Sequence, residues 1–509
     1  MDNTGRISRP ILKQAQEILF RQSWEKVFKE LGLIAQVDYA HLIMLYEMGI
    51  IRKNQVATIL RAIKELNDSD FEPLREEKAS RGLYLLYEDY LIGKTGQDCG
   101  GMLQTARSRN DLNATVLRMR LRKPYETLLR ELLRLQAVLL RRARRYARTV
   151  MPIYTHYQAA VPGTYGHYLA GVVLEVSKHI DGLLQLRNLL NQSPLGAGAI
   201  GGTTVKIDSA RTAALLGFDK TVNNSISAIA SRDYILYLLS LISIIGIMMS
   251  RVSADLLLWT TNEFSFLELP DELVGSSSAM PQKRNPFLLE HVQGKSALLL
   301  GHFTSSATAM HGKPFTNSIA VNTEAVAPVW SALEMVTEVV VLLRLVIGGA
   351  KPKPEPMLRQ TINGYTTATE IAIRLVLQAG WNFRAAHHKV GELVLEAQWG
   401  GEPLEETVRR WTEAAEINID LDGLDPSSIV QATVNGGGPS EGSLSKSLAE
   451  CGAEWKRQAQ VLKQQVGKWG TARRTLQEEV DRLISSTMAS GSAQEPMTPS
   501  ARDSPEQDG

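Results

Sequence analysis

Leu128-Leu129-Arg130-Glu131-Leu132-Leu133-Arg134-Leu135-Gln136-Ala137-Val138-Leu139-Leu140-Arg141 is the stretch on which the fold turns. Leu128, Leu132, Leu135 and Leu139 recur at steps of three and four with Arg130, Arg134 and Arg141 between them, the period of an amphipathic helix and not of a strand. Val172, Leu174, Val176, Ile180, Leu183 and Leu184 repeat the pattern, and so do Val336, Val339 to Leu343 and Leu345 to Ile347. Strand signals are nearly absent. The chain is therefore expected to be all-α, a long central helical bundle with smaller N- and C-terminal helical domains.

Other segments refine that expectation. Pro124 predicts a kink or a restart just ahead of the leucine pattern. The Arg141-Arg142-Ala143-Arg144-Arg145 cluster reads as a solvated helix end or a subunit contact. Ile235 to Met249 is apolar but carries Ser240, Ser243 and Gly246, and is shorter than the roughly 20 residues of a bilayer span, so it reads as a central buried helix. Gly349-Ala350-Lys351-Pro352-Lys353-Pro354-Glu355-Pro356 is the clearest break in composition. The expected divisions are an N-terminal helical domain over 1–114, the central bundle over 115–350, a C-terminal helical domain over 351–488 and a disordered tail over 489–509. Trp455, Leu462, Val466 and Trp469 share one helical face.

A chain of 509 residues exceeds one ordinary core. Its 56 Lys plus Arg against 54 Asp plus Glu give a formal charge of +2, which argues for neither nucleic acid nor a membrane surface as partner. Cys99 and Cys451 cannot build a disulfide framework and are not spaced as metal ligands. No charged-then-apolar leader is visible, so a reduced, cytoplasmic protein without metal or cofactor is expected.

The chemistry is concentrated in Gly275-Ser276-Ser277-Ser278-Ala279-Met280-Pro281-Gln282-Lys283-Arg284-Asn285-Pro286. A glycine followed by three serines has nothing to anchor in a core, so the backbone is free to close over a ligand. Lys283 and Asn285 offer a point charge and an amide donor. Pro286 suits the first turn of a helix beginning Phe287-Leu288-Leu289-Glu290, whose N-terminus favours negative charge. The stretch reads as an active-site lid closing over an anionic small molecule.

This loop resembles the Gly-Ser-Ser-x-Met-Pro-x-Lys-x-Asn-Pro signature of the fumarase/aspartase superfamily. Thr105-Ala106-Arg107-Ser108-Arg109-Asn110-Asp111, Met151-Pro152-Ile153-Tyr154-Thr155-His156-Tyr157-Gln158, Pro194-Leu195-Gly196-Ala197-Gly198-Ala199, Leu216-Gly217-Phe218-Asp219, Ser231-Arg232-Asp233 and Gly436-Gly437-Gly438-Pro439-Ser440 resemble its argininosuccinate lyase branch, in the family's order. The resemblance spans residues from about 30 to about 450. It implies elimination of fumarate from an N-substituted aspartate by a homotetramer with shared sites. The difficulty of that reaction is a dianionic carbanion, which fixed donors in a water-excluded site must hold.

The resemblance also implies roles. Counting back from Met280 makes Ser277 the base, whereas counting from Gly275 makes it Ser276; the Met280 count is preferred because Lys283 and Asn285 address the same substrate. Lys283 would stabilise the serine alkoxide. His156 and Glu290 match the family's histidine and carboxylate, an acid/base pair for the leaving nitrogen. Ser108, Arg109, Asn110, Thr155, Asn285 and Asn322 match substrate-holding positions, with the fork of Arg109 suited to carboxylates.

Other positions depart from the pattern. After Gly312-Lys313-Pro314 the family's tyrosine, glutamine and lysine have become Asn317, Asn322 and Ala325. An Asp-x-His pair is missing near Gly82-Leu83-Tyr84, and Gln104 stands where a histidine is usual. Each lost partner for a buried head group costs roughly 1–3 kcal/mol. The first reading is accordingly a lyase for a different succinyl-amine adduct in a specialised biosynthetic pathway. The alternatives are an ordinary argininosuccinate lyase of arginine biosynthesis and a catalytically silent structural homologue.

Overall fold

The computed structural model describes residues 24–75 and 83–491. Three helices, α1 (Trp24–Glu47), α2 (Lys53–Asp68) and α3 (Leu83–Thr95), gather a first core in which Leu42, Leu45, Ile59, Ile63, Tyr87 and Leu91 are buried. The central bundle is built from α4 (Arg109–Arg145), α5 (Tyr165–Leu190), α6 (Asp233–Thr260), α7 (Phe287–Met310) and α8 (Pro328–Gly349). Leu128, Leu132, Leu135 and Leu139 are fully buried there against Val176 and Ile180 of α5, Leu238 and Ile242 of α6, and Val336 and Leu343 of α8. Each contributes about 1.5–3 kcal/mol by that burial, which is why the leucine period decides the fold.

After α8 come α9 (Pro354–Asn363), α10 (Ala368–Ala379), α11 (Phe383–Gly400) and α12 (Leu404–Ala414). Ile371, Leu375, Val390, Leu393 and Val408 form a separate small core. The chain then returns in the 51-residue α13 (Glu441–Gly491). This helix departs from the expected C-terminal domain over 351–488. Its apolar stripe divides, Leu444, Leu448, Cys451 and Leu462 joining the bundle core and Leu476, Val480 and Leu483 joining the N-terminal one.

The expected 114/115 boundary falls inside α4 for the same kind of reason. Leu112, Val116 and Met119 bury in the N-terminal core and Leu121 onward in the bundle core, so one helix serves both. Pro124 interrupts nothing: α4 runs unbroken through it, flanked by buried Leu121 and Tyr125, whose hydroxyl donates to Leu183 O at 2.7 Å. Nor is the arginine cluster simply solvated, since Arg142 is buried and donates to Ala350 O while Arg144 donates to Leu448 O. Residues 492–509 of the expected disordered tail lie outside the described residues.

Helix α6 is long and apolar enough by length and composition to cross a membrane. Ile235, Leu238, Leu239, Ile242, Ile245 and Met249 are nevertheless buried in the bundle core, the position expected for this stretch. Between α4 and α5 lies an antiparallel hairpin that helical periodicity alone did not announce, β1 (Val150–Thr155) and β2 (Gln158–Thr164).

Candidate active site

The serine loop is cinched at its base by two backbone hydrogen bonds, Gly275 N to Asn285 O and Asn285 N to Gly275 O, both 2.8 Å. Within it Met280-Pro281-Gln282-Lys283 closes a turn through Lys283 N to Met280 O at 3.1 Å, with proline in the position that favours such turns. The Ser277 hydroxyl oxygen accepts from Met280 N at 3.1 Å and Ala279 N at 3.4 Å. Two amides aimed at one hydroxyl oxygen are what a serine alkoxide needs. Ser276 is exposed, and its carbonyl accepts from Asn285 Nδ2 at 3.4 Å. Arg284 pairs with Asp271 and donates to Leu269 O at 2.7 Å, holding the far side of the loop to the bundle.

Thr155 and His156 sit at the tip of the β1–β2 hairpin. The register pairs Thr155 with Gln158, so His156 and Tyr157 form a two-residue turn with φ of 49° and 61°. Such turns favour glycine or asparagine at both places, and a histidine and a tyrosine there are strained. Tyr157 is 88% exposed. The hairpin therefore presents its imidazole on the surface of the chain.

Ser108, Arg109 and Asn110 open α4. Ser108 is the N-cap and accepts from Asn110 N at 3.3 Å, while Asp111 Oδ1 accepts from Ser108 N at 3.0 Å, a capping box. Asp111 Oδ2 also accepts from Gly196 N and Gly198 N, and Asn110 Nδ2 donates to Ala199 O at 2.8 Å. Helix start and 194–199 loop are thus one unit. Gly196 (φ 102°) admits no Cβ because Ser209 lies against it.

Beneath this unit lies a buried network to which the sequence reading gave no role. Arg107 and Asp38 form an ion pair at 2.5 Å with both side chains fully buried. Arg107 also donates to the Tyr84 hydroxyl at 3.0 Å, and Gln104 bonds the same hydroxyl. Gln104, which stands where the family has a histidine, is thus bonded to Tyr84, next to where the Asp-x-His pair is missing. Burial pushes the Asp38 carboxyl up and Arg107 opposes it. Burial, aided by Arg107, holds His41 well below its ordinary value, and the neutral ring donates from Nε2 to Thr105 O at 2.9 Å. The signal for this network was the Arg107 inside the quoted block, unremarkable until its depth was known.

The Arg109 block and the hairpin do not meet within one chain. Helix α4 rises about 54 Å from Arg109 to Arg145, and the hairpin is tied to its far end by Gly166 N to Tyr146 O and Tyr165 N to Thr149 O. Strands of six and seven residues reach about 20 Å, so His156 stays on the order of 30 Å from Arg109. The serine loop is at the hairpin's end of the bundle, where Leu273 packs against Gly349 and Gly348 lies beside Val138. Asn322 follows α7, about 36 Å from that helix's start. The side chains of His156, Glu290, Lys283 and Arg109 are all exposed and make no hydrogen bond or ion pair among the described residues. The expected His156–Glu290 pair is accordingly not formed inside the protomer.

Asn322 lies in a π-turn, Ala320–Glu324, where Asn322 Nδ2 donates to Asn317 Oδ1 and Asn322 Oδ1 is left without a donor. Ala325 is fully buried. Among the described residues no group of three His, Cys, Asp or Glu could hold a metal ion.

A family model described as "Lyase" matches residues 43–301, and one described as "Argininosuccinate lyase C-terminal" matches 365–431. The argininosuccinate lyase of Methanosarcina mazei is 31% identical over 91% of this chain and 95% of its own, and that of Methanocaldococcus jannaschii 31% identical over 87% and 92%. The chain belongs to the argininosuccinate lyase family. It is thus a fumarate-releasing carbon–nitrogen lyase of the fumarase/aspartase superfamily. A solved EDDS lyase in complex with formate is 26% identical with a TM-score of 0.82, covering 96% of this chain and 99% of that one. A class II fumarase from Schistosoma mansoni, 17% identical with a TM-score of 0.65 over 80% of this chain and 91% of that one, shares the fold alone. The helical bundle expected from the leucine period is the fold of these proteins.

Proposed function

We propose that this family member cleaves a succinyl-amine adduct other than argininosuccinate, in a specialised pathway, releasing fumarate and a free amine or amidine. Ser277 takes the proton next to the carboxylate, its alkoxide held by the 279–280 amides and by Lys283. Ser108, Arg109, Asn110, Thr155 and Asn285 hold the dicarboxylate, and His156 with Glu290 returns a proton to the leaving nitrogen.

The observation that carries the proposal is the far end of the site. Position 325, where the resemblance expects a lysine for the amino-acid head group, is a fully buried alanine, and the Asn322 amide nitrogen is turned onto Asn317 Oδ1. Asn322 Oδ1 is left unpaired, an acceptor suited to an amine N–H. The test is addition to fumarate of a panel of amines, arginine included; preference for arginine would overturn the proposal. The ordinary urea-cycle-type reaction is the second reading, favoured by argininosuccinate lyases at 31–35% identity over most of the chain.

The working unit we propose is a cytoplasmic homotetramer whose sites draw on several chains. Two observations support it: the separation of Arg109 and His156 in one protomer, and the exposed Tyr237, Ile244 and Ile247 on α6 and Leu298 on α7, an apolar surface that a soluble monomer rarely presents.

A further inference from the structure

The segment between α7 and α8 carries two large apolar side chains that nothing in the chain covers. Phe315 is 64% exposed and Ile319 71% exposed. Gly312 (φ 69°) turns the chain out of α7, and every residue from His311 to Asn317 is exposed. Val321 and Ala325 then bury in the core and anchor the π-turn, which leaves Ile319, two residues before Val321, facing outward.

Single exposed apolar residues are ordinary. These two bracket Asn317, two residues to either side, and Asn317 is the residue that receives the Asn322 amide. The apolar pair therefore flanks the group assigned above to the amine. Charge points the same way. From Gly312 to Thr323 the only ionic side chain is Lys313, and Glu324, the first carboxylate, comes only after Asn322. The stretch around Asn317 thus offers a guanidinium or a second ammonium one like charge and no partner, and a cation desolvated without a partner is costly.

The segment also lies at the dicarboxylate end of the bundle. Helices α4 and α8 run side by side in one direction, the Arg120 guanidinium lying 4.0 Å over the Trp330 ring and Arg142 reaching Ala350 O. Trp330 is therefore level with a point about 16 Å along α4 from Arg109, and the chain ahead of it lies toward Ser108–Asn110. The exposed α6–α7 surface is elsewhere, since Leu298 is about 18 Å back along α7 from Met310.

We propose that Phe315 and Ile319 are specificity-determining residues that receive an apolar, uncharged substituent on the leaving amine, with Asn322 Oδ1 accepting the N–H at its root. This rests on the reading above that the Asn317–Asn322 segment faces the amine, and it adds the amine's class. An aromatic or branched alkyl amine loses water against a phenyl and a branched alkyl wall, whereas a guanidine or a diamine finds neither a counter-charge nor a donor–acceptor set there.

The test gives the full chain N-phenethylaspartate, N-isopentylaspartate, N-aminobutylaspartate and argininosuccinate, with N-methylaspartate as the reference. Fumarate release measures kcat/KM for adducts that are cleaved, and calorimetric titration measures Kd for those that are not. The two apolar adducts should exceed both the reference and the aminobutyl adduct about tenfold or more. Phe315→Ala and Ile319→Thr should each reduce the ratio of apolar adduct to reference several-fold; both side chains are exposed, so neither change removes core packing. Light scattering should show the parent's assembly in each. Argininosuccinate as the best ligand would defeat the reading on which the proposal rests, and the proposal with it. The aminobutyl adduct as the best ligand would leave that reading standing and overturn the proposal alone. So would the absence of any preference, the absence of binding by every adduct, or ratios unchanged in the variants. Altered assembly of either variant would make the pair a subunit contact and overturn it as well.

Discussion

The hydroxyl oxygen of Ser277 accepts a 3.1 Å hydrogen bond from the backbone N–H of Met280, three residues on in the same loop. Ala279 N adds a second at 3.4 Å, and no such pair serves Ser276. An oxygen already facing two amides pays less to become an alkoxide. Ser277→Ala should lower kcat by about 10²–10⁴ while Ser276→Ala lowers it less than about tenfold. Steady-state rates on the two variants decide between them, and the reverse order would show that Ser276 is the base.

Asp38 and Arg107 form the buried joint under the Ser108–Asn110 block. Removing one member strands the other's charge, so Asp38→Asn should destabilise by about 3–5 kcal/mol. Because Arg107 directly precedes Ser108, fumarate affinity should fall as well. Denaturant midpoints together with fumarate titrations check this. An Asp38→Asn protein as stable as the parent would mean that water, not the carboxylate, satisfies Arg107.

His41 gives a pH dependence whose sign is fixed. Its folded-state pKa is held well below 6.5 by burial, so below pH 6.5 the unfolded chain binds a proton that the folded chain refuses. The contribution is complete above that pH and is lost as pH falls, by up to about 1.4 kcal/mol per unit. His167 and His179, also depressed by burial, add to the same trend. Glutamine keeps an N–H for Thr105 O without titrating, so His41→Gln should flatten the fall in Tm between pH 6.5 and 5.5. Identical slopes in parent and variant would remove His41 as a cause.

How far the sequence could be read follows the range of each interaction. The leucines of α4 announced the bundle because helical period is local, and the serine loop announced its chemistry because its residues are contiguous. The path of α13 was hidden, since nothing in Leu444 or Val480 says which of two cores each will join. The Asp38–Arg107 pair spans 69 positions, a reach no local pattern has. The separation of Arg109 from His156 needed the unbroken length of α4, which Pro124 argued against.

That separation leads to a mixing experiment. Chains carrying His156→Ala and chains carrying Ser277→Ala are each expected to be inactive as homo-oligomers. Co-assembled at equal amounts, and with the two residues supplied by different chains, about a quarter of sites receive neither lesion. Recovery of about that fraction of parent activity is the expected result. Verified mixed oligomers with no recovery would mean that His156 and Ser277 of one chain serve one site.

The last prediction concerns the amine. The retained donors, Ser108, Arg109, Asn110, Thr155, Lys283 and Asn285, are forked, charged or amide groups suited to a dicarboxylate, so fumarate should bind or inhibit competitively. Asn317, Asn322 and the buried Ala325 offer no cation from those positions to an α-carboxylate, and the loss of one charged partner there costs about 1.5–3 kcal/mol, a factor of roughly 10–150. Argininosuccinate should therefore be cleaved poorly or not at all. Ala325→Lys alone should not restore cleavage, because position 325 is enclosed and a lysine there would bury its ammonium without a partner. Cleavage of argininosuccinate by the unaltered protein with kcat/KM of about 10⁴ M⁻¹s⁻¹ or above would discard the specialised reading and leave the arginine-forming lyase in its place.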